Sequence, residues 1–289
     1  MTPIVQAHFD PATSTVTYLV FDPATKAAAV IDPVADFEPK GARLSHGSAD
    51  AVLASVAAQG LDLRWVLETH AHADHLSAAD YIRRRTGAKI VIGAHITDVQ
   101  KQFVPLFEAD DVSLDGRAFD RLVSEGEELP LGDLTVGVLH TPGHTPACVT
   151  YVIGDAAFVG DTLFMPDYGT ARADFPGGDA GALYRSTRKI LALPEATRIF
   201  VGHDYLPASR TDIRWETSVA EQRARNIHVH DGVSEAEFVA MRQARDATLA
   251  PPTLILPSLQ VNIRAGALPP TSPGGHVFLR LPLTEVEAA

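Results

Sequence analysis

The 289-residue chain is 46% hydrophobic and 21% charged, a balance that suits a folded globular domain and excludes a disordered or fibrous one. Its 24 Lys and Arg against 36 Asp and Glu leave a net charge of −12, which disfavours nucleic acid and anionic membrane surfaces as partners. The single cysteine, Cys148, excludes an internal disulfide, and with no 18-residue apolar run and no basic-then-apolar leader a soluble, cytoplasmic protein is expected.

In chain order, β-type runs predict strands over Ile4 to Phe9, Thr15 to Phe21 and Ala27 to Ile31, with turns at two Asp-Pro-Ala-Thr sequences. A helix is predicted over Ala49 to Gln59, ended by Gly60, and a strand over Leu63 to Leu67 that runs into a His-rich loop. A helix from Ser77 to Thr86, a strand Lys89 to Ile92 and a helical stretch to Phe103 follow, and the basic run Arg83-Arg84-Arg85 reads as a solvated helix end. Strands return at Leu134 to Leu139, Val149 to Ile153 and Ala156 to Val159. Asp179 is placed to cap a helix through Leu191, Arg198 to Val201 reads as a strand, and Arg214 to His228 and Ser234 to Leu249 read as helices. From about residue 250 the Pro- and Gly-rich sequence predicts a tail packed along the body, and with no linker in sight one domain over 1–289 is expected. The alternation implies α/β layers around mixed sheets.

The chemistry concentrates after Leu67, in Glu68-Thr-His-Ala-His-Ala-Asp-His75, where His70, His72, Asp74 and His75 fall within six residues. Imidazole and carboxylate are ligands of divalent zinc, iron and manganese, and a tight loop at a strand end aims several at one point. By residue frequency an HxHxDH motif arises by chance about once in several thousand chains of this length. Three more candidates stand just after a strand or in a Pro/Gly turn: His144 in Thr-Pro-Gly-His-Thr-Pro, Asp161 in Val-Gly-Asp-Thr and His203 in Val-Gly-His-Asp-Tyr. The remaining histidines, His140 included, lack such a setting and are read as surface or core residues.

In these motifs, and in their order, the sequence resembles the metallo-β-lactamase superfamily. The resemblance implies an αββα sandwich of two mixed sheets with helices on the outer faces and metal at one edge. In two-metal members the pattern would put His70, His72 and His144 on one metal, Asp74, His75 and His203 on the other, and Asp161 between them. Gly169-Thr-Ala-Arg172-Ala-Asp174-Phe175 followed by Leu183-Tyr-Arg-Ser, together with Gly202-His-Asp-Tyr205 and Asn262-Ile-Arg264-Ala-Gly266, is similar to the persulfide dioxygenase branch, and more narrowly to its bacterial β-lactamase-like hydrolase group.

That likeness implies an enzyme that oxidises glutathione persulfide, or a similar persulfide, with O2 and water to sulfite and thiol. It implies one Fe(II) per chain on His70, His144 and Asp161, a set that leaves three positions open. His72, Asp74, His75 and His203 would orient these ligands and hold water. Tyr205 is expected to donate to the substrate, Arg172 and Arg264 to contact it, and Arg172 with Asp174 to form a buried pair. Relatives also imply a homodimer. A family Arg that follows the Asn226 position is replaced here by Ile227-His228, which bears on glutathione recognition. The same ligands also suit a glyoxalase II-like hydrolase of glutathione thioesters or lactones with two metals, Zn or Fe/Zn, in which Asp74 or the second metal stabilises the product of attack on the carbonyl. A non-enzymatic metal or persulfide binder is disfavoured because every ligand position is intact.

Overall fold

A computed structural model of the chain describes residues 2–285. In chain order its elements are β1 (Ile4–Asp10), β2 (Thr15–Phe21), β3 (Ala27–Ile31), β4 (Val34–Glu38), β5 (Arg43–Ser45), α1 (Gly47–Ala58), β6 (Asp62–Leu67), β7 (Leu76–Ser77), α2 (Ala79–Thr86), β8 (Lys89–Gly93), α3 (Ile96–Phe107), β9 (Arg121–Val123), β10 (Glu128–Leu131), β11 (Leu134–His140), β12 (Val149–Ile153), β13 (Ala156–Phe158), α4 (Ala180–Ile190), β14 (Arg198–Phe200), β15 (Glu216–Ser218), α5 (Val219–Arg225), α6 (Glu235–Asp246) and α7 (Ile255–Asn262).

Two six-stranded mixed sheets, in the orders β1-β2-β3-β6-β8-β9 and β10-β11-β12-β13-β14-β15, lie face to face, and β5-β4-β7 forms a small third sheet. The period-two alternation of the strands decides which layer each residue joins. On β2, Val16, Tyr18 and Val20 enter the core between the sheets, against Val136, Tyr151 and Phe158 of the second sheet. Leu19 and Phe21 point the other way, into a core shared with α1, α2, α3 and α7. On the second sheet Ala157 and Ile199 face outward against Leu183 of α4 and Phe238 of α6. The expected αββα sandwich is therefore the observed one.

Strands β3, β6 and β8 run parallel, as do β13 and β14. Parallel strands end on the same side of their sheet, so the segments that follow β6, β13 and β14 open at one edge. At that edge a Cβ on Gly202 would lie 2.7 Å from Asp161 Oδ1, a close approach that only glycine permits.

The structure corrects two predicted elements. The helix read over Arg214 to His228 is instead β15, paired antiparallel with β14, followed by the shorter α5. Ser218 marks the change, because its side chain caps α5 by accepting from Glu221 N. The Pro/Gly-rich tail holds a helix, α7, which with the Ile263 that ends it buries Leu259, Val261 and Ile263 against the first sheet's outer core. Beyond it Arg280 N donates to Gln260 Oε1 at 2.7 Å, while Phe278, Leu281 and Leu283 are exposed.

Helix α7 also ties down the His-rich loop. Asn262 Nδ2 donates to the carbonyls of His72 and His75 at 2.8 Å each, and its Oδ1 accepts from Ser77 N at 2.8 Å. Removing a buried group with three backbone partners strands them at a cost of about 1–3 kcal/mol. Asn262→Ala is expected to lower urea stability of the metal-free protein by that order, and an unchanged midpoint would show that the loop is held by other contacts.

Candidate metal centre

Four chain segments meet at the open edge. The loop after β6 carries His70, His72, Asp74 and His75, the loop between β11 and β12 carries His144, and the ends of β13 and β14 deliver Asp161 and His203. His203 Nε2 lies 3.2 Å from Asp74 Oδ2 and 3.3 Å from Asp161 Oδ1. His70 Nε2 and His144 Nε2 lie 3.9 and 3.7 Å from Asp161 Oδ2. Among the described residues three groupings bring their ligand atoms within 4.8 Å of one another: His70, His72 and Asp161; His72, Asp74, His75 and His203; and, behind them, Asp32, Glu68 and His72. The structure thus brings together all seven residues that the motifs single out.

The surroundings settle which nitrogen carries the proton in four of the five rings. His144 Nδ1 lies 2.8 Å from the Arg172 carbonyl, which can only accept, so Nδ1 is protonated and the Nε2 lone pair faces the centre. Thr69 Oγ1 donates to Asp32 Oδ2 at 2.8 Å, which leaves its lone pair to accept from His70 Nδ1 at 3.0 Å. The same logic runs through the turn between β1 and β2. Thr13 Oγ1 donates to Asp10 Oδ2 at 2.6 Å, so Thr15 Oγ1 donates to Thr13 at 2.7 Å and accepts from His75 Nδ1 and His203 Nδ1, each at 3.3 Å. His75 Nδ1 has a further acceptor in Asp74 Oδ1 at 3.4 Å. His72 is turned over: its Nε2 lies 3.1 Å from Asp32 Oδ1 without making a hydrogen bond to it, and its Nδ1 is on the side of the centre.

Burial, reinforced by neighbouring imidazoles, pushes the pKa values of His70 and His72 well below the ordinary range and keeps both rings neutral, the form that binds metal. Burial opposes charge on His203, but Asp161 and Asp74 outweigh it and raise its pKa. Burial likewise raises Asp161 against the pull of His203 and His144. For Asp74 burial acts in the same direction but loses to His203 and His75, and its pKa falls well below the carboxylate range.

Seven buried atoms of these residues have no hydrogen-bond partner: His70 Nε2, both ring nitrogens of His72, Asp74 Oδ2, His75 Nε2, Asp161 Oδ1 and His203 Nε2. Among the described residues only His8 Nε2 and Ser258 Oγ share that condition. An orphaned buried polar atom costs about 1–3 kcal/mol, so this many at one point calls for a divalent cation to accept their lone pairs.

A cavity of about 1210 Å³ opens over Asp74, His144 and Asp161, with Phe164, Tyr168 and Tyr205 on one wall. The Tyr205 ring stacks on His203, with centroids 5.3 Å apart and planes at 11°. Arg172 lines the cavity, but its guanidinium is engaged by Asp174 through Nε at 2.5 Å and Nη2 at 2.6 Å and by the Ala250 carbonyl at 2.7 Å. The Arg172–Asp174 pair is half-buried, so the expectation of a buried pair is corrected. Arg264 is also corrected as a substrate contact. It is buried away from the cavity, forking onto Asp111 at 2.7 and 2.6 Å.

Motif reading passed over the residues that orient the ligands. Asp32 shows one local signal only in the structure, a non-glycine residue at φ 48°. Thr15 has none, because a threonine in a strand is ordinary.

The metallo-beta-lactamase superfamily model matches residues 10–203. A probable metallo-hydrolase of Burkholderia pseudomallei is 53% identical over 98% of this chain and 99% of its own. A beta-lactamase hydrolase-like protein of Xylella fastidiosa is 50% identical over the whole chain, which spans only 66% of that relative's length. Glyoxylase B2 of Dictyostelium discoideum is 46% identical over 92% of this chain and 91% of its own. The human mitochondrial persulfide dioxygenase ETHE1 is 29% identical over 93% and 91% of the two chains. The crystal structure of ETHE1 from Myxococcus xanthus superposes with a TM-score of 0.74 at 34% identity, over 91% of this chain and all of that one. With its fold, its seven converging ligand-type side chains and these matches in agreement, the chain belongs to the metallo-beta-lactamase superfamily.

Proposed function

We propose that the protein is a persulfide dioxygenase that uses one Fe(II), held by His70, His144 and Asp161, to oxidise the persulfide of glutathione or a similar low-molecular-weight thiol. The observation that carries this reading is the likeness to ETHE1 proteins over nine-tenths of the chain, which takes in the cavity walls as well as the ligand loops. In the reaction a persulfide RSSH, O2 and water yield the thiol RSH, sulfite and two protons. Fe(II) would supply the redox chemistry with O2 that no side chain here possesses, and two imidazoles with one carboxylate leave it open positions.

The chain's own groups do the rest. The cavity is larger than the roughly 300–1,000 Å³ common for small ligands, so it has room for the thiol carrier beside the reacting sulfur. Tyr205, on the wall next to His203, is positioned to donate from its hydroxyl to the bound persulfide. Asp74, His75, His203 and His72 hold water and steer protons beside the iron ligands.

A second reading, a two-metal hydrolase of glutathione thioesters or lactones, is favoured by the second grouping of His72, Asp74, His75 and His203 and by the names of the Burkholderia and Dictyostelium relatives. There Asp161 would be shared between the metals, and a metal-activated water would attack the carbonyl.

Oxygen-electrode measurements on Fe(II)-loaded protein with glutathione persulfide, with sulfite followed as product, test the first reading. His144→Ala and Asp161→Ala are expected to lose iron and O2 uptake together, whereas His203→Ala should lose activity with iron retained. No uptake from iron-loaded protein would move the assignment to the hydrolase.

Tyr205→Phe is expected to raise KM for the persulfide by about 2- to 10-fold, the worth of one net hydrogen bond, with kcat nearly kept. An unchanged KM would remove Tyr205 from the substrate site.

Thr15→Val separates the two readings by metal titration. If His75 and His203 hold a second metal, loss of their shared acceptor should weaken the second equivalent of Zn(II) by about 10- to 100-fold and spare the first. The one-metal reading expects one equivalent in both proteins.

A further inference from the structure

Of the imidazoles held through Nδ1, His70, His75 and His203 turn that nitrogen to a threonine hydroxyl, whereas His144 turns it to a backbone carbonyl, that of Arg172, at 2.8 Å. A carbonyl can fix a ring only as well as its own segment is fixed, and the stretch 169–174 contains no helix or strand. It is gripped instead from the α5–α6 side of the molecule. Asn226 Nδ2 donates to the Gly169 carbonyl at 3.1 Å, and His228 Nδ1 accepts from Thr170 N at 3.0 Å. A Cβ on Gly169 would lie 2.1 Å from that His228 nitrogen.

The two contacts that bracket Arg172 come from α6. Arg242 Nη1 donates to the Thr170 carbonyl at 3.3 Å, and Asp246 Oδ2 accepts from Ala173 N at 2.9 Å. Arg242 and Asp246 sit one helical turn apart and pair with each other, Nε to Oδ1 at 2.9 Å and Nη2 to Oδ1 at 2.8 Å. Both are buried, Arg242 at 1% exposure and Asp246 at 6%. A buried ion pair adds little stability over an apolar pair of the same shape, because desolvation consumes most of the attraction. The groups this pair presents to the rest of the protein are aimed at the peptide units on either side of Arg172.

We propose that Asp246 and Arg242 are positioning residues for His144: by holding the backbone of 170–173 they fix the Arg172 carbonyl, and through it the ring whose Nε2 faces the metal centre. Arg242 lines the cavity beside His144 and Asp161, but neither side chain hydrogen-bonds a residue of the ligand cluster, so on this reading the effect reaches the metal through His144. The inference rests on His144 being a ligand and is independent of which reaction the centre performs.

The test is a double-mutant cycle on metal affinity, read by titrating the full-length metal-free protein with Zn(II) against a chromophoric chelator. His144→Ala first identifies the Zn(II) equivalent to follow. Asp246→Ala is expected to weaken that equivalent by about 10- to 100-fold, the usual cost of losing a group that orients a metal-binding histidine. In the His144→Ala background the same substitution should cause no further loss, since the ring it positions is gone. Asp246→Asn, which keeps an oxygen for Ala173 N, should recover most of the affinity even though the ion pair is lost. A merely structural role would give equal losses in both backgrounds and no rescue by asparagine, and that result overturns the proposal. If Asp246→Ala does not fold, Arg242→Lys takes its place in the cycle. It keeps the charge beside Asp246 but withdraws the donor from Thr170, so a smaller, still non-additive loss is expected and an additive one overturns the proposal. His144→Ala leaving every Zn(II) equivalent unchanged would remove the ligand reading and this one with it, whereas a loss there without one in Asp246→Ala would overturn this one alone.

Discussion

Five imidazoles and two carboxylates buried at one point can serve a metal only if each ring is turned so that one lone pair faces inward. That requirement governs the surrounding structure. His70, His75, His144 and His203 each have an acceptor on the outer nitrogen, and a hydroxyl acceptor must itself be denied a competing role. Thr69 meets this by giving its own proton to Asp32, and Thr15 by giving its proton to Thr13, which in turn donates to Asp10. The outcome is a set of directed hydroxyl chains in which the carboxylates at the far ends decide the tautomers at the centre.

The same requirement explains why the supports come from all over the chain. The turn between β1 and β2 serves His75 and His203, the residue after β3 serves His70 through Thr69, α7 holds the carbonyls of His72 and His75, and the segment before α4 serves His144. Two sheets whose parallel strands end at one edge gather the ligands, and the layers behind them hold the ligands' partners. A ligand set assembled this way is rigid, and it is compatible with either one or two metals. The division between oxygenase and hydrolase therefore lies outside the ligands, in how the metals distribute and in what the cavity admits.

The cavity wall is made by the same elements that hold the ligands. Thr170, Ala171 and Arg172 line it while the Arg172 carbonyl holds His144, and Tyr205 lines it while stacked on His203. Substrate-facing shape and metal geometry are thus mechanically joined. Rigidity in one supports precision in the other, at the half-ångström level that metal sites require.

The sequence by itself determined the seven ligand-type residues that the fold brings together and the alternation that sorts strand residues between layers, because HxHxDH, the Pro/Gly turns and period-two hydrophobicity are local patterns that survive without a partner. It also carried enough of the family's pattern around Arg172, His203 and Asn262 for the fold to be read. It misplaced β15 as helix, since an edge strand exists only through its pairing with β14, and it hid α7 behind the prolines that flank it. Only the tertiary structure decided which nitrogen of each histidine faces the centre, that Arg264 belongs to Asp111 and not to the cavity, and that α6 reaches His144 through the backbone of 170–173. Most of these contacts join residues tens to nearly two hundred positions apart, through hydroxyls, carbonyls, amides and ion pairs of residue types that every chain contains, so their meaning appears only when folding brings them into register.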